Sequence, residues 1–212
     1  MTLPERRHAG RPHEDAAAAA ADRRREARDR TWVDGVRTGD AAAFDAIFTA
    51  YADALCGFVY TYLRSHDEAQ EVVQDLFLWI WEHRAEWEVP GSLRKYLFKS
   101  ARNRAISHLR HRRVERELAE RLTRQAERAA SEGTSPRPDD QLCADELASV
   151  IDRAVGQLSE RCREVFILNR RQGFSYAEVA DLLDISTKTV EIHMGRAFTT
   201  IREHIAAWRG TR

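Results

Sequence analysis

The chain has few cysteines: three among its 212 residues, at Cys56, Cys143 and Cys162. An odd number at wide spacing excludes a fully paired disulfide framework, and no two of them form a CxxC pair for zinc. This cysteine usage fits a reducing cytosol. The sequence also has no Gly-rich phosphate loop and no cluster of metal ligands, so we expect neither a cofactor nor a metal.

Long apolar runs and a secretory signal are absent as well. The alanine run over residues 16–21 follows acids and precedes arginines, so it lacks the basic start and long apolar stretch of a signal peptide. No run approaches the roughly 18 apolar residues that a membrane-spanning helix needs. We therefore expect a cytoplasmic protein that does not insert into a membrane.

Net charge is missing too, because 34 basic residues balance 34 acidic ones. Total charge therefore gives no indication of a nucleic-acid partner, and only the distribution of charge can. With 43% hydrophobic and 32% charged residues, the chain has the composition of a globular protein of one ordinary domain or two small ones.

The sequence shows no convincing alternating strand pattern, whereas the helical period runs through almost every segment from Asp40 to Trp208. The sequence predicts an all-α protein with two small helical domains on a flexible linker. Composition divides the chain into four parts, namely an Ala/Arg-rich N-terminal extension (1–38), a first helical domain (39–113), a linker (114–141) and a second helical domain (142–212). We interpret the extension as a solvated or fraying helix, with a basic arm on nucleic acid as the alternative.

The second domain contains the pattern of a helix-turn-helix. Ser175 and Glu178 form a capping box that begins one helix, Asp184 suits a left-handed turn, and Ser186 can cap the next helix. Upstream, Ser159 is expected to cap a support helix. Polar and basic side chains suited to bases and phosphates follow on the second helix of the motif, at Thr187, Lys188, Thr189, Glu191, Ile192, His193 and Arg196. An ordinary αα-hairpin has a similar apolar pattern, so the motif alone does not establish DNA binding.

An amphipathic helix is predicted over residues 67–82. Its apolar face gathers Ala69, Val72, Val73, Leu76, Phe77 and Ile80. The opposite face is acidic around Leu78, with Trp81 to one side, which indicates either a solvated face or a docking surface for a protein.

Residues 92–113 reverse the charge, with eight basic side chains and no acid. Such a stretch attracts phosphate. Helical spacing brings four side chains that can bind bases and backbone to one face, namely Lys99, Asn103, Ser107 and Arg110. The preceding Pro-Gly loop lies beside Trp87, which suits either an unstacked base or core packing.

These features, in this order, resemble bacterial sigma factors of the small extracytoplasmic-function (ECF) type in the sigma-70 superfamily. The resemblance covers about residues 40–202 and rests on the runs "DEAQEVVQDLFLWIWEHR", "LRKYLFKSARNRAISHLRHRR" and "LSERCREVFILNRRQGFSYAEVADLLDISTKTVEIHMGRA". It departs from the family at Asp184, where many members have Gly, and at Ser107, where many have Asp. The second departure leaves the minus-ten preference open.

The resemblance implies that residues 39–113 are sigma region 2 and residues 142–212 are sigma region 4. It implies three sets of site residues, which are Gln74, Asp75, Leu78, Trp79 and Glu82 for core RNA polymerase, Trp87, Lys99, Asn103, Ser107 and Arg110 for the minus-ten promoter element, and Thr187, Lys188, Glu191, His193 and Arg196 for the minus-thirty-five element. The implied partners are core polymerase, promoter DNA and an anti-sigma factor.

Two other functions compete with this prediction. A helix-turn-helix regulator that binds an operator as a homodimer explains the second domain but leaves the basic helix of the first without a role. An enzyme acting on nucleic acid is not favoured, because no plausible catalytic cluster occurs in the sequence. We therefore expect a sigma factor that directs promoter-specific initiation and is not an enzyme.

Overall fold

A computed structural model of the protein describes residues 12–126 and 153–210, with side chains over residues 20–116 and 153–208. Every regular element in these ranges is a helix, which confirms the all-α prediction. The helices are α1 (Pro12–Arg37), α2 (Ala41–Leu63), α3 (His66–Glu82), α4 (Leu93–Ala126), α5 (Glu160–Phe166, continued by a π-helical turn over Ile167–Arg171), α6 (Tyr176–Leu183) and α7 (Thr187–Gly210). A short helical stretch over 153–157 precedes α5.

The first unit packs α1, α3 and α4 around α2. Leu55, Phe58 and Val59 of α2 are fully buried at its centre. By length and composition alone α2 is apolar enough to cross a membrane. This differs from the expectation that no run in the sequence is long and apolar enough to do so. Its buried residues, spread along the whole helix, are those of a core helix in a helical domain.

Helix α1 departs from the solvated extension that the sequence predicted, because its C-terminal half packs against α2 and α4. Val36 is fully buried, and Asp29 is buried where its carboxylate accepts a hydrogen bond from the Tyr51 hydroxyl. Burial, followed by this carboxylate, raises the pKa of Tyr51. A side chain at Gly35 would meet the Cβ of Ala43 at 2.7 Å, so the helices approach closely there. Because this segment is rich in charged residues, its sequence did not indicate that apolar residues such as Val36 are buried.

The second unit packs α5 and α6 against α7 around Val165, Leu168 and Val190, which are fully buried. Ser159 stands at the start of α5, as predicted, but its side chain makes no capping hydrogen bond. The predicted linker begins within α4, which continues to Ala126, and residues 127–141 lie outside the described residues. The linker therefore stays a prediction.

Candidate nucleic-acid interface

The turn between α6 and α7 has the geometry that its sequence predicts. The Ser175 side chain accepts from the backbone N–H of Glu178, and the Glu178 carboxylate accepts from the backbone N–H of Ser175 at 2.7 Å. Asp184 ends α6 with φ of 55° in the left-handed region. The Ser186 hydroxyl accepts from the N–H of Thr189 at 3.1 Å and so caps α7. These local contacts make a helix-turn-helix.

Helix α7 presents its predicted residues to solvent at its N-terminal end. Thr187, Lys188, Glu191 and Arg196 are exposed, whereas Thr189 and His193 are partly buried. Val190 and Ala197 are fully buried behind them and hold the helix to the domain. Ile192 is 46% exposed. An apolar side chain there suits contact with a thymine methyl group in the major groove.

His193 connects this surface to the support helix α5. Its Nδ1 lies 3.4 Å from the Sγ of buried Cys162. Burial, followed by the charges of Arg196 and Arg161, lowers the pKa of His193. The neutral form of the ring is therefore favoured. Within the described parts of the chain, no group of three or more His, Cys, Asp or Glu side chains is arranged to bind a metal.

The basic helix α4 exposes the four side chains that its periodicity placed together. Lys99, Asn103, Ser107 and Arg110 are all exposed, and the apolar residues of the same helix, such as Leu97 and Ala101, are fully buried. A cation, an amide, a hydroxyl and a guanidinium thus share one accessible face. These groups bind phosphate and hydrogen-bond to base edges.

Contacts with α3 fix the middle of α4. Arg112 donates to the Glu68 carboxylate, and His108 Nε2 lies 3.4 Å from the same carboxylate. Glu68 therefore anchors one side of the basic helix without covering its exposed face.

The Pro-Gly loop places Trp87 in the core and not at the surface. Trp87 is 2% exposed, and its indole Nε1 is buried without a hydrogen-bond partner. The loop and α1 enclose a cavity of about 590 Å³, into which Arg30, Val33 and Pro90 also face. Of the five predicted minus-ten residues, Trp87 alone is buried, so it can line a base-sized cavity but offers no open ring face.

The acidic helix α3 does not gather its five predicted docking residues on one side. Gln74 and Leu78 line an apolar hollow of about 290 Å³ together with Phe44, Phe48 and Trp81. Leu78 is 53% exposed and Phe48 is 40% exposed. Sequence reasoning missed Phe44 and Phe48. Their spacing of four residues on α2 was the available signal, but nothing in the sequence showed that Phe48 remains uncovered.

The other docking residues lie elsewhere on α3. Asp75 and Trp79 line a groove between α3 and α4, which they share with Asn103 and Ser107. Glu82 is exposed at the end of α3 and lines neither surface. The structure therefore does not bring the five residues into one patch.

The two helical units touch each other through a buried carboxylate. Glu164 of α5 is 3% exposed and accepts from the Tyr62 hydroxyl, from Arg102 Nε and, at 2.9 Å, from Arg161. Burial, and then the charge of Glu164, raises the pKa of Tyr62. Burial by itself lowers the pKa of Arg102. The hydrogen bond to Glu164 and the negative charge of Glu164 have the opposite effect and are stronger together, so the pKa of Arg102 is raised. This cluster joins α2 and α4 to α5.

Phe174 adds an aromatic contact between the units. Its ring lies 5.3 Å from that of Phe98, edge to face, and the Arg94 guanidinium lies 3.8 Å above its centre. At the rim Lys95 donates to Asp181, and this hydrogen bond lowers the Asp181 pKa. The second unit therefore packs beside the exposed face of α4 and leaves that face open.

The fold and these surfaces define a class of protein: a two-part helical DNA-binding protein with a basic helix in one part and a helix-turn-helix in the other. A family model described as Sigma-70 region 2 matches residues 47–115, and one described as Sigma-70, region 4 matches residues 149–201.

Curated relatives carry the same designation. RNA polymerase sigma factor CnrH of Cupriavidus metallidurans is 30% identical over 172 residues, covering 80% of this chain and 90% of that protein. RNA polymerase sigma-H factor of Pseudomonas aeruginosa is 27% identical over 176 residues, 80% of this chain and 89% of that one. ECF RNA polymerase sigma factor SigW of Bacillus subtilis is 26% identical over 172 residues, 76% and 89% of the two chains. The chain belongs to the sigma-70 family of RNA polymerase sigma factors, within its ECF group, and acts in promoter-specific initiation.

Solved structures share the fold. CnrH in complex with the cytosolic domain of CnrY has a TM-score of 0.57 at 23% identity, covering 85% of this chain and 98% of that one. The sigma factor RpoE in complex with the anti-sigma factor NepR, from Bartonella quintana, has a TM-score of 0.55 at 24% identity, with 77% and 96% covered.

Proposed function

We propose that the two helical units divide the work of promoter recognition, with region 2 over residues 39–113 and region 4 over residues 142–212. In this scheme α4 and the Pro-Gly loop bind the minus-ten element, and α7 binds the minus-thirty-five element. The observation that carries the proposal is the exposed face of Lys99, Asn103, Ser107 and Arg110 on a unit separate from the helix-turn-helix. A homodimeric operator-binding protein has no use for that second DNA-binding face.

At the minus-thirty-five element, Lys188 and Arg196 supply charge for phosphates and base acceptors. Thr187, Glu191 and His193 complete the surface. Because α7 is exposed at its N-terminal end and buried on its opposite face, that end can enter the major groove while the domain rests on the backbone.

At the minus-ten element, the cavity beside the Pro-Gly loop is large enough to receive one base that has left the duplex. Extruding a base costs a few kcal/mol, which the protein must offset by contacts that exist only with the open strand. Trp87 forms part of the wall of this cavity, and its buried indole N–H has no hydrogen-bond partner in the free protein. No nucleotide hydrolysis enters this scheme, in keeping with a family of non-enzymatic initiation factors.

We assign polymerase binding to the apolar hollow between α2 and α3. Leu78 and Phe48 are exposed apolar side chains at its rim, and Gln74 adds a polar group. A hydrophobic centre with a polar rim is the usual anatomy of a protein interface. Glu82, exposed at the end of α3 outside the hollow, adds a negative charge that favours a basic partner surface.

Binding to core polymerase also explains the balanced charge of the chain. Two weak DNA-binding surfaces act together once core polymerase fixes their separation. After the first surface has bound DNA, binding of the second becomes intramolecular. A strongly basic free chain would instead bind DNA without regard to sequence. We place the protein in the cytoplasm, as expected for a soluble transcription factor of this family.

An anti-sigma factor is the remaining proposed partner. The structures of CnrH and RpoE that share this fold are both complexes, with CnrY and with the anti-sigma factor NepR. We propose that an anti-sigma factor binds this chain as well.

Run-off transcription tests the function as a whole. Purified protein is added to bacterial core RNA polymerase on genomic fragments that include the DNA upstream of its own gene. Specific transcripts that start only when the protein is present are expected. A discrete footprint from the protein alone, with no transcript, would instead support the operator-binding regulator.

The docking hollow is tested by Leu78→Asp, measured as affinity for core polymerase. A charge in the apolar hollow must lose its water on binding, so the affinity should fall while the fold is retained. Val114→Asp is the matched control, because Val114 is 61% exposed on α4 and does not line the hollow. Wild-type polymerase affinity of a folded Leu78→Asp protein would remove the hollow from the interface.

A further inference from the structure

The groove between α3 and α4 contains an aromatic ring that the proposed docking surface does not use. The groove encloses about 590 Å³, and Trp79 forms part of its wall. Trp79 is 38% exposed, the most of any tryptophan among the described side chains. An indole left open to solvent costs free energy in the unbound protein, and its ring is suited to stacking.

The ring of Trp79 is held in place before anything binds. The His83 imidazole stacks on it at 4.6 Å with an interplanar angle of 17°, and His83 Nδ1 lies 2.9 Å from the Trp79 carbonyl oxygen. The Arg104 guanidinium lies 5.8 Å from the ring centre. His83 thus packs against the indole, Arg104 lies over the ring at a longer distance, and the Trp79 side chain still lines the groove. A fixed aromatic platform loses little entropy when a second ring stacks on it.

Polar groups in the groove match the edges of a nucleobase. Asn103 and Ser107 line it, and among the described residues their side chains have no hydrogen-bonding partner. An amide and a hydroxyl can each donate and accept, as base edges require. Asp75 is the sole acidic residue facing the groove within the described chain, and it can accept from an exocyclic amino group.

The groove also adjoins the Pro-Gly loop. Tyr96 lines the groove, and its ring lies 6.1 Å from that of Trp87 in a near edge-to-face contact. The loop cavity and the groove therefore lie on either side of one aromatic pair.

From these contacts we infer that the groove holds an unpaired base of single-stranded DNA, stacked on Trp79. The inference rests on the proposed function, which brings single-stranded promoter DNA to α4. It assigns Trp79 to the nucleic-acid surface, whereas the family resemblance implied a contact with polymerase. Charge complementarity favours DNA over a protein segment, because Arg104 lines the groove and Lys99 and Arg110 are exposed on the same helix.

The test compares two probes on the full-length protein at low salt: a short oligothymidylate and an abasic deoxyribose-phosphate chain of the same length. Both carry the same phosphates, and only the first can stack. The wild type should bind oligothymidylate more tightly. Trp79→Ala should lose about tenfold in affinity for it, the effect of removing one stacked base, and should bind the abasic chain unchanged.

Two variants and one further measurement make the test specific. Trp79→Phe keeps an aromatic platform and should retain most of the preference for oligothymidylate. Val114→Ala, at an exposed position on α4 outside the groove lining, should leave that preference unaltered. Thermal unfolding confirms that each variant folds, and affinity for core polymerase is measured in parallel.

Three results would overturn the inference: wild-type oligothymidylate binding by Trp79→Ala, equal binding of both probes by the wild type, or loss of polymerase affinity alone. The last would return Trp79 to the protein interface. Because the probes are bound without polymerase, this outcome is independent of run-off transcription. A failure of sigma activity and a failure of the groove are therefore distinguishable.

Discussion

Helices α4 and α7 both expose side chains suited to DNA, but the contacts that hold the two helices in place differ in their separation along the chain. The turn that places α7 is fixed by hydrogen bonds between residues three positions apart, such as Ser175 with Glu178 and Ser186 with Thr189. Helix α4 is fixed by partners 44 to 86 residues away, through Arg112, Arg102 and Lys95. Two of these partners, Glu164 and Asp181, belong to the second unit.

This difference predicts unequal sensitivity to substitution. Loss of one local cap removes one hydrogen bond from a turn that other contacts still hold. Loss of a shared long-range partner leaves several buried groups unsatisfied at once, and it loosens both units together. We therefore expect substitution of Glu164 to reduce stability more than substitution of any residue of the turn.

The largest expected effect is that of Glu164→Ala. Removing this carboxylate leaves Arg102 without its buried counter-ion and Tyr62 without its acceptor, and such a loss costs about 3 to 5 kcal/mol. The measurement is the free energy of unfolding from denaturant titration. Glu160→Ala, an exposed acid on the same helix, is the control and should change stability little. A loss below about 1 kcal/mol for Glu164→Ala would show that the contact between the units contributes little to stability.

The same difference in range decides what sequence alone could predict. The capping box at Ser175, the left-handed Asp184 and the cap at Ser186 follow from residue preferences within a few positions, and all three are confirmed. The buried face of α3 follows from period alone and is confirmed too. Contacts of Glu164 with Tyr62 and Arg102 leave no local pattern, because a lone Glu in a helix is ordinarily a solvated residue.

Candidate sites show the same limit. Helical spacing was enough to place Lys99, Asn103, Ser107 and Arg110 on one exposed face. It could not show that Trp79 and Leu78, neighbours on α3, face different surfaces, because that depends on where α2 and α4 pack. Nor could it show that Trp87 is buried. A surface formed by one helix can be predicted from the sequence, whereas a surface formed between helices cannot.

Asp184 tests how tightly local contacts hold the turn between α6 and α7. Its φ of 55° disfavours side chains with a branched Cβ, so Asp184→Val should destabilise the protein by about 1 to 2 kcal/mol. Asp184→Gly accommodates the same backbone and should lose no stability. The measurement is again denaturant unfolding. Equal stability of the two variants would mean that the turn relaxes to another conformation and is not held as tightly as its hydrogen bonds suggest.

Lys188 tests the function of the helix that the turn positions. It is exposed and lies 3.2 Å from Glu191 in the free protein. Lys188→Ala should weaken holoenzyme binding to the minus-thirty-five element by about 1 kcal/mol and reduce the slope of affinity against salt by about 1. Arg202→Ala removes the same charge further along α7, where the side chain is also exposed, and is the control. An unchanged salt slope in Lys188→Ala would place this residue away from phosphate.

The smallest expected effect concerns His193 and depends on pH. Burial and the neighbouring Arg196 and Arg161 lower its pKa from 6.5, so the folded protein binds a proton there less readily than the unfolded chain does. Stability should therefore decline as the pH falls below the unfolded value of about 6.5, and the loss should level off below the lower, folded pKa. The neutral ring can also accept the thiol proton of Cys162 at 3.4 Å, which a protonated ring cannot.

His193→Gln removes the titrating ring, so the loss of unfolding free energy between pH 7.5 and pH 5.5 should be smaller in the variant than in the wild type. His111→Gln, at an exposed position on α4, provides the control and should leave the wild-type pH profile in place. Because only one partly buried ring is involved, the change should be smaller than that caused by Asp184→Val. A pH profile that is identical in His193→Gln and the wild type would show that protonation costs this site nothing. Helix α7 would then gain a positive charge in mild acid without loosening its contact with α5.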